Sequence, residues 1–544
     1  MAVVFLSGVL LFEPIFDRTA PLAASDGTSP EVRLGHRVYG FLDRMETKGI
    51  LYGLRDGTRP LTRLEVARRL IEVERRMDGR MTEIDRQILA WLSDAFQYEV
   101  GHLKGRKTSR YGGKWRALSY SNRDGLLSVE PFVNGDAIWR TNSEPAMRNL
   151  YNVLLGLRAF GYFKGTMAFY FQGFDANDFG RTSDFQRREG PEPGWGYVKV
   201  KGDSNIVNYE EVNAHIAFRI GPFEGVVGKG RNAWGPSPQT NLHLTSKAPS
   251  YPEVKLQAAF NRRLRFTYLH ASLVSGLIDS SRSFGGEREL ERAKYLAAHR
   301  IEWTVTPGLD IGLSESVIYG DRGPELAYLI PVMFFWSAEH DLGNRDNVQL
   351  GMDFDLHLIP NVKFYGALYL DEWTIETTFS REKSHNWIAW QIGAFAADLG
   401  GWMRDLDFLL EYTRLAPQVY THKYPINAYE SWQHPLGHWL GRDADELHLG
   451  WVYRPHFRAR IAVAYDRRRK GAPIPPLEFY ADETIPFLSG AFQVTHEIAM
   501  EGRYEVFRDG FVGVGLTLRE VKDSVGLAHN GRTSSFHLGF SYNL

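Results

Sequence analysis

The feature that most constrains this chain is a two-residue alternation of apolar and polar side chains, which recurs from about residue 118 to the carboxyl terminus. In the clearest case, apolar residues occupy every second position of 348–358, and Asp353 and Asp355 lie between them. A strand with this period has one apolar and one polar face. Strands of about ten residues with this period are typical of outer-membrane β-barrels. The same pattern runs through 295–305, 406–412, 457–465 and 536–544.

The connections between these segments fall into two length classes that alternate along the chain. Short periplasmic turns and long outer loops are typical of outer-membrane barrels, whereas a soluble β-sandwich or propeller does not need this regularity. The pattern therefore predicts a closed antiparallel outer-membrane β-barrel of about eighteen strands in residues 118–544, with both of its ends facing the periplasm. The short turns centre on Gly221, Pro307, Pro360, Gly400, Pro455 and Asp509, and the long polar segments span 175–206, 232–252, 274–294, 321–346, 372–386, 415–443, 467–489 and 522–533.

The amino-terminal residues have the composition of a secretory signal. Residues 2–12 form a mostly apolar run that is too short to span a bilayer as a helix, and a stretch of small residues follows at 20–25. We expect residues 1–24 to be a signal peptide. Together with the barrel pattern, this signal predicts a protein of the outer membrane of a Gram-negative-type bacterium, in contact with outer-membrane lipid.

Residues 34–105 show helical periodicity and predict a periplasmic domain of about three helices. Thr62 and Glu65 form the Thr-x-x-Glu pattern of a capping box, and Thr82 and Asp85 repeat it more weakly. The stretch "GILYGLRDGTRPLTRLEVARRL" resembles an S-layer homology unit, a cell-wall-binding module. This resemblance implies peptidoglycan or the polysaccharide-export machinery as a partner. We prefer the interpretation of a helical plug or assembly domain.

Several kinds of chemistry are disfavoured by the sequence. Lys and Arg number 64 against 65 Asp and Glu, so the chain lacks the basic surface of a nucleic-acid-binding protein. Cysteine is absent, which removes disulfides, thiolate metal sites and cysteine nucleophiles. The sequence "HEIAM" at His496 lacks the second histidine of a zinc-protease helix, and His434 and His438 lack a third ligand. We therefore expect no cofactor, no metal and no enzymatic activity.

The polar faces of the predicted strands carry both charges. An eighteen-stranded barrel is wide enough for an aqueous channel, but the same charges can pair and hold a plug, so both interpretations stay open. Glu315 is an exception because it lies on an apolar face, and we predict either a β-bulge that turns it inward or a position near the outer interface. The residues predicted to face the lumen are Arg219, Arg300, Glu302, Asp353, Asp355, His357, Asp405, Glu411, Arg458 and Arg460.

The stretch 221–256 resembles the Wzi family of outer-membrane capsule assembly proteins. In "GPFEGVVGKGRNAWGPSPQTNLHLTSKAPSYPEVKL", the matching elements are a strand entering "WGPS", a segment ending "LTSKAP" and a following strand. The resemblance implies a barrel with a helical periplasmic bundle that holds capsular polysaccharide at the cell surface, in the manner of a lectin. We interpret the "WGPS" residues as fixing a loop conformation rather than touching ligand; they are Trp234, Gly235, Pro236 and Ser237.

The long segment 415–443 is the candidate polysaccharide-binding surface. Sugar recognition needs aromatic faces beside hydrogen-bonding groups, on loops that reach solvent. The alternative is that these aromatic side chains pack the loop over the barrel mouth, and Trp336, His340, Trp373 and His385 in other outer loops are candidates for either role. The candidate binding residues are Tyr424, Tyr429, Trp432, His434, His438, Trp439 and Arg442.

Binding or assembly of capsular polysaccharide or exopolysaccharide at the cell surface is therefore the leading functional hypothesis. A porin-like transport channel for small solutes or sugars is the first alternative, since porin constrictions also oppose acidic and basic side chains. An outer-membrane lipid hydrolase is the second, because a Ser and a His on separate strands are not recognisable in one sequence.

Overall fold

The computed structural model describes most of the chain beyond residue 26. The predicted signal peptide 1–24 lies outside the described residues, as do Trp373 and His385. Among the described residues, none of the helices is long and apolar enough to cross a membrane. The described residues are 27–55, 57–105, 115–122, 125–142, 148–163, 165–180, 186–200, 206–283, 289–372, 386–472, 485–524 and 531–543.

The amino-terminal helical domain has a single apolar core, formed by the facing sides of its helices. The Thr62 side chain accepts a hydrogen bond from the Glu65 N–H at the start of one helix. Thr82 and Asp85 form a full capping box at the start of the next. The chain leaves helical dihedral angles at Phe96, and a fourth, short helix follows the three that were predicted. The helices are α1 (Val38–Thr47), α2 (Arg63–Arg75), α3 (Glu83–Ala95) and α4 (Gln97–Leu103).

Eighteen long antiparallel strands form a closed barrel, which confirms the predicted fold. The last strand pairs with the first, with Phe536 opposite Trp139, so the wall has no open edge. The strands are β1 (Gly125–Thr141), β2 (Asn149–Phe163), β3 (Met167–Phe179), β4 (Ile206–Ile220), β5 (Phe223–Gly230), β6 (Tyr251–Ala259), β7 (Leu264–Ile278), β8 (Glu291–Thr306), β9 (Leu309–Gly320), β10 (Asn347–Ile359), β11 (Val362–Glu372), β12 (Trp387–Ala396), β13 (Leu406–Leu415), β14 (Ala444–His456), β15 (Ala459–Gly471), β16 (Phe492–Phe507), β17 (Gly510–Asp523) and β18 (Gly531–Tyr542).

The outward side of the wall is an apolar band. Side chains at alternate strand positions are apolar and exposed there, Leu155 among them. Near the rim with the long connections, Trp139 contacts Phe536. Near the rim with the short turns, Phe507 contacts Tyr542. An apolar band between aromatic rims is the surface that a barrel presents to lipid, with the long connections on the outer side.

Glu315 lies on the outward face, and the β-bulge predicted for it is wrong. β9 pairs with β10 without a register shift from Leu309 to Ile318. The Glu315 carboxylate instead accepts hydrogen bonds from the backbone N–H groups of Phe335 and Trp336, at 2.9 and 2.8 Å. These two residues belong to the long connection between β9 and β10, which folds over the outside of the barrel and buries the carboxylate.

Candidate functional site

The helical domain is bonded to the inward face of the barrel near the periplasmic rim, and we call it the plug. Glu65 at the start of α2 accepts a hydrogen bond from Arg265 of β7 at 2.6 Å. Trp91 of α3 donates a hydrogen bond to Glu505 of β16 at 2.9 Å. Because β7 and β16 lie in well separated parts of the wall, these contacts hold the plug across the mouth.

The densest contact between plug and wall is a buried cluster of charges around Arg44 of α1. Arg44 lies 2.9 Å from Asp85 of α3 and also pairs with Asp398, in the short connection between β12 and β13, and with Asp407 of β13. Lys48 adds a second cation, 2.6 Å from both Asp85 and Asp398. Burial raises the pKa of Asp85, but the attraction of Arg44 and Lys48 outweighs burial and lowers this pKa to about 2. The carboxylate therefore stays ionised and holds both cations.

Several of the predicted lumen charges form buried pairs instead of lining a water-filled pore. Arg300 is 1% exposed and makes two hydrogen bonds to the Asp353 carboxylate, at 2.5 and 2.8 Å. The backbone of Gly312 lies beside this guanidinium, and a Cβ on Gly312 would lie 2.2 Å from Nη2 of Arg300. His357 lies 3.9 Å from Glu46 of the plug. Glu302, Asp355 and Glu411 are also buried, and Arg219 donates a hydrogen bond to the backbone of the plug at Gly27.

Three other predicted lumen residues have different surroundings. Asp405 and Arg458 lie in short turns and not on strands, which corrects their expected position. Asp405 accepts a hydrogen bond from the Thr82 hydroxyl of the plug at 2.6 Å, and Arg458 is exposed. Arg460 of β15 pairs with Glu501 of β16 at 3.1 Å, but its side chain is 45% exposed. The lumen is therefore tightly filled beside β8 to β10 and more open beside β15 and β16.

The connection between β5 and β6, residues 231–250, enters the lumen from the outer mouth, and we call it the first lumen loop. Trp234 is fully buried and pairs through its backbone with Thr58 of the plug. Its ring stacks on His243 with 5.8 Å between ring centroids. The first lumen loop thus reaches the plug inside the barrel.

The other "WGPS" residues fix the path of the first lumen loop. Gly235 has a φ of 135°, and a Cβ on it would lie 2.5 Å from the Asn241 side chain. The Ser237 hydroxyl donates a hydrogen bond to Glu411 of β13 at 2.6 Å. Pro236 is also buried. Trp234, Gly235 and Ser237 therefore make contacts that hold the loop in place.

The connection between β13 and β14, residues 416–443, packs on the first and is called the second lumen loop. The Tyr429 hydroxyl donates a hydrogen bond to the His243 carbonyl at 2.8 Å. The Thr245 N–H donates to the Leu436 carbonyl, also at 2.8 Å. Together with inward side chains of the wall, the two loops form an apolar core inside the outer mouth.

The structure separates the predicted binding residues of the second lumen loop by exposure. Burial, with Lys470 and Arg468 nearby, lowers the pKa of His438 to about 3, so this imidazole is uncharged at neutral pH. The backbone at Gly196 lies against the Trp432 ring. Tyr429, His434 and His438 are buried, Trp432, Trp439 and Arg442 are partly buried, and Tyr424 is 48% exposed.

A cleft of about 470 Å³ opens at the outer rim beside β15 and β16, and we call it the rim cleft. A cavity of a few hundred cubic ångströms suits a small organic ligand. It combines charged groups, an amide and an aromatic ring, which can hydrogen-bond sugar hydroxyls and stack on a sugar ring. In the described part of the chain, no group of three His, Asp or Glu side chains is arranged to hold a metal ion. The rim cleft is lined by Arg442, Asp443, Lys470, Phe492, Gln493 and Asp523, among others.

Of the predicted binding residues, Arg442 alone is among the described residues that line the rim cleft. Lys470 and Gln493 were missed because they continue strands and carry no loop signal of their own. They are opposite each other in the pairing of β15 with β16. The sequence signal that could have identified these two residues is the point where the alternating pattern stops on both strands, which marks the outer end of the strand pair.

These features define an outer-membrane β-barrel whose lumen is occupied from the periplasmic side by a helical plug and from the outer side by two loops. The sequence model of a family described as "Capsule assembly protein Wzi" matches residues 153–517, more than half of the chain. The chain belongs to the Wzi family of capsule assembly proteins, which confirms the resemblance seen at 221–256.

Solved structures include barrels similar to this one. A structure from Escherichia coli, described as Wzi, an outer membrane protein involved in group 1 capsule assembly and a carbohydrate-binding β-barrel, is 15% identical with a TM-score of 0.56, over 95% of this chain and 100% of that chain. At this identity the likeness shows the fold alone. OccD3 and OprD of Pseudomonas aeruginosa are 12% and 11% identical, with TM-scores of 0.42 and 0.40, over 79% and 76% of this chain and 94% of each of theirs. A comparison with curated protein sequences found no match.

Proposed function

We propose that this chain binds polysaccharide at the outer mouth of its barrel, without catalysis, and so holds capsule or exopolysaccharide at the cell surface. The rim cleft is the observation that carries the proposal, because it places Arg442, Phe492 and Gln493 around a space large enough for sugar rings. The lumen loops beside the cleft are packed and hydrogen-bonded, so the binding groups are held in position before the ligand arrives. The carbohydrate binding described for Escherichia coli Wzi supports the same function.

The filled lumen argues against the alternative of a porin-like channel. The plug and the first lumen loop meet at Thr58 and Trp234, and Arg300, which would line a pore, is buried. The lipid-hydrolase alternative gains no support from the geometry of the described residues.

A polysaccharide-retention assay in cells tests the proposal. Cells without this protein should release surface polysaccharide into the medium, and the wild-type protein should restore its retention. The double variant Arg442→Ala and Gln493→Ala should reach the outer membrane but bind the extracted polysaccharide about ten-fold more weakly, because two hydrogen-bonding groups are lost. Lys423→Ala, an exposed change in the second lumen loop outside the cleft, is the control. Wild-type retention by the double variant would remove the rim cleft as the site.

A further inference from the structure

The connection between β9 and β10, residues 321–346, folds back over the outward face of the barrel, and we call it the strap. It contains a short 3-10 turn, Leu326–Leu329, and a short helix, Phe335–Asp341. The sequence pattern placed it among the long polar outer segments. Its central run 326–338, "LAYLIPVMFFWSA", nevertheless contains no Asp, Glu, Lys, Arg or His.

The inner side of the strap is firmly docked on the wall. Tyr328 and Phe335 are fully buried in a cluster with Val317 and Tyr319, which lie on the outward face of β9. The Tyr268 hydroxyl of β7 donates a hydrogen bond to the Tyr328 carbonyl at 2.8 Å. The strap is therefore part of the folded barrel.

The outer side of the strap is apolar and uncovered. Leu326 is 73% exposed, Val332 80%, Phe334 52% and Trp336 51%. A group of exposed apolar side chains of this kind is unfavourable in water and marks contact with another apolar phase. The charged residues Arg322 and Asp346 lie at the two ends of the strap, beside the outer ends of β9 and β10, and pair at 2.5 Å.

The position of Glu315 gives the height of the strap on the barrel. Glu315 is six residues beyond Leu309, which starts β9 at the short-turn rim. Six strand residues tilted by about 40° rise about 15 Å, and the apolar band of an outer-membrane barrel is about 25 Å tall. Phe335 and Trp336, which bond to Glu315, are thus level with the lipid and not above it. Leu313, two residues below Glu315 on the same face, is an exposed residue of the lipid-facing band.

We propose that the strap is immersed in the outer leaflet of the membrane, with its exposed side chains Leu326, Val332, Phe334 and Trp336 in contact with lipid acyl chains. The strap adds exposed apolar side chains to the lipid-facing side of the barrel, its central run is uncharged, and the paired charges Arg322 and Asp346 lie at its two ends, beside the outer ends of β9 and β10. The strap shields the Glu315 carboxylate and its neighbour His299, which lie 3.0 Å apart, from the hydrocarbon. The surface facing the lipid at this place is therefore the apolar outer side of the strap and not the polar side chains of the wall.

The absence of cysteine from the chain makes a direct test possible. A single cysteine is introduced as Val332→Cys, labelled with a small fluorophore, and the folded protein is reconstituted at one copy per lipid nanodisc. Half of the nanodiscs contain lipids with a nitroxide quencher on the middle of the acyl chain. Leu313→Cys on the lipid-facing band is the positive control, and Lys423→Cys, at an exposed position of the second lumen loop, is the negative control. Heat-modifiable migration in gels verifies that each labelled variant is folded.

We expect the label at 332 to be quenched by the lipid nitroxide to within about two-fold of the label at 313, and at least about five-fold more than the label at 423. Quenching at 332 by a water-soluble nitroxide, with no response to the lipid-borne one, would overturn the proposal. Efficient disulfide cross-linking between unlabelled copies of the Val332→Cys variant in proteoliposomes, combined with absence of lipid quenching, would also overturn it by showing that a second copy covers the strap.

Discussion

Trp234 of the first lumen loop and Thr58 of the plug are direct partners in a short antiparallel pairing inside the barrel. The pairing connects a segment that enters from the outer mouth with one that enters from the periplasm. The wall also holds both segments. Ser237 of the first lumen loop bonds to Glu411, and Arg44 of the plug bonds to Asp407. The first lumen loop and the plug therefore stabilise each other inside the barrel. A change that destabilises one should also destabilise the other.

Gly235→Ala should destabilise the first lumen loop. The residue has a φ of 135°, and its Cβ would collide with Asn241. We expect a loss of about 1–3 kcal/mol, measured as a lower midpoint of the heat-induced shift in gel migration. Gly79→Ala is the control, because no atom lies within 4 Å of its added Cβ. Equal midpoints for both variants would contradict the assigned backbone strain.

Arg300→Met should destabilise the barrel much more than Arg460→Met, although both residues lie in ion pairs. Removal of Arg300 leaves Asp353 buried without its cation, which costs about 3–5 kcal/mol. Arg460 and Glu501 are about half exposed, and such a pair contributes about 0–1 kcal/mol. Denaturant titrations of the two variants, monitored by circular dichroism, compare these values. Similar losses would show that the lumen is uniformly hydrated.

The attachment of the plug should weaken in acid. The pKa of Asp85 is lowered to about 2 in the folded protein, so its stabilising effect is complete above its ordinary value of about 3.8 and is lost as the pH falls through about 2. The loss amounts to about 2 kcal/mol. Cleavage of the helical domain by pepsin should accelerate between pH 4 and 2. In Asp85→Asn, which cannot titrate, the acceleration should be smaller, and an identical pH profile would reject this assignment.

The wild-type protein should show no steady porin-like conductance in planar bilayers at neutral pH, because plug and loops meet in the lumen. Replacement of 236–247 by a shorter Gly-Ser linker removes much of the first lumen loop and should produce a steady conductance. The strap variant Val332→Cys changes the outward face only and serves as the control. A large steady conductance of the wild-type protein would favour the channel hypothesis.

The barrel could be predicted from the sequence because its signals are local. Alternation along each strand depends on neighbouring positions, and turn residues such as Pro307 and Asn361 determine the short connections without help from distant segments. The two capping signals at Thr62 and Thr82 are local in the same way.

The contents of the lumen could not be predicted in this way. Whether Tyr429 faces solvent or the interior depends on the packing of two loops, in which Thr245 and Gly437 form a hydrogen bond across 192 residues of chain. Glu315 also could not be placed from local sequence. The bulge was predicted because no partner for the carboxylate was evident nearby, whereas its partner is a backbone segment about twenty residues further along the chain. Alternation also continues past the ends of strands, which is why Asp405 and Arg458 were placed on the wall.

The uneven filling of the lumen makes the barrel mechanically asymmetric. Beside β8 to β10 the wall is buttressed from within by side chains such as Arg300 and from without by the strap, whereas β15 to β18 and β1 keep partly hydrated inward side chains such as His537. We expect thermal opening of strand pairs to be easier in this less filled part of the wall, which also contains the junction between the first and last strands. If the wall separates anywhere, we expect it to do so along that junction, while the part beside β8 to β10 keeps its shape.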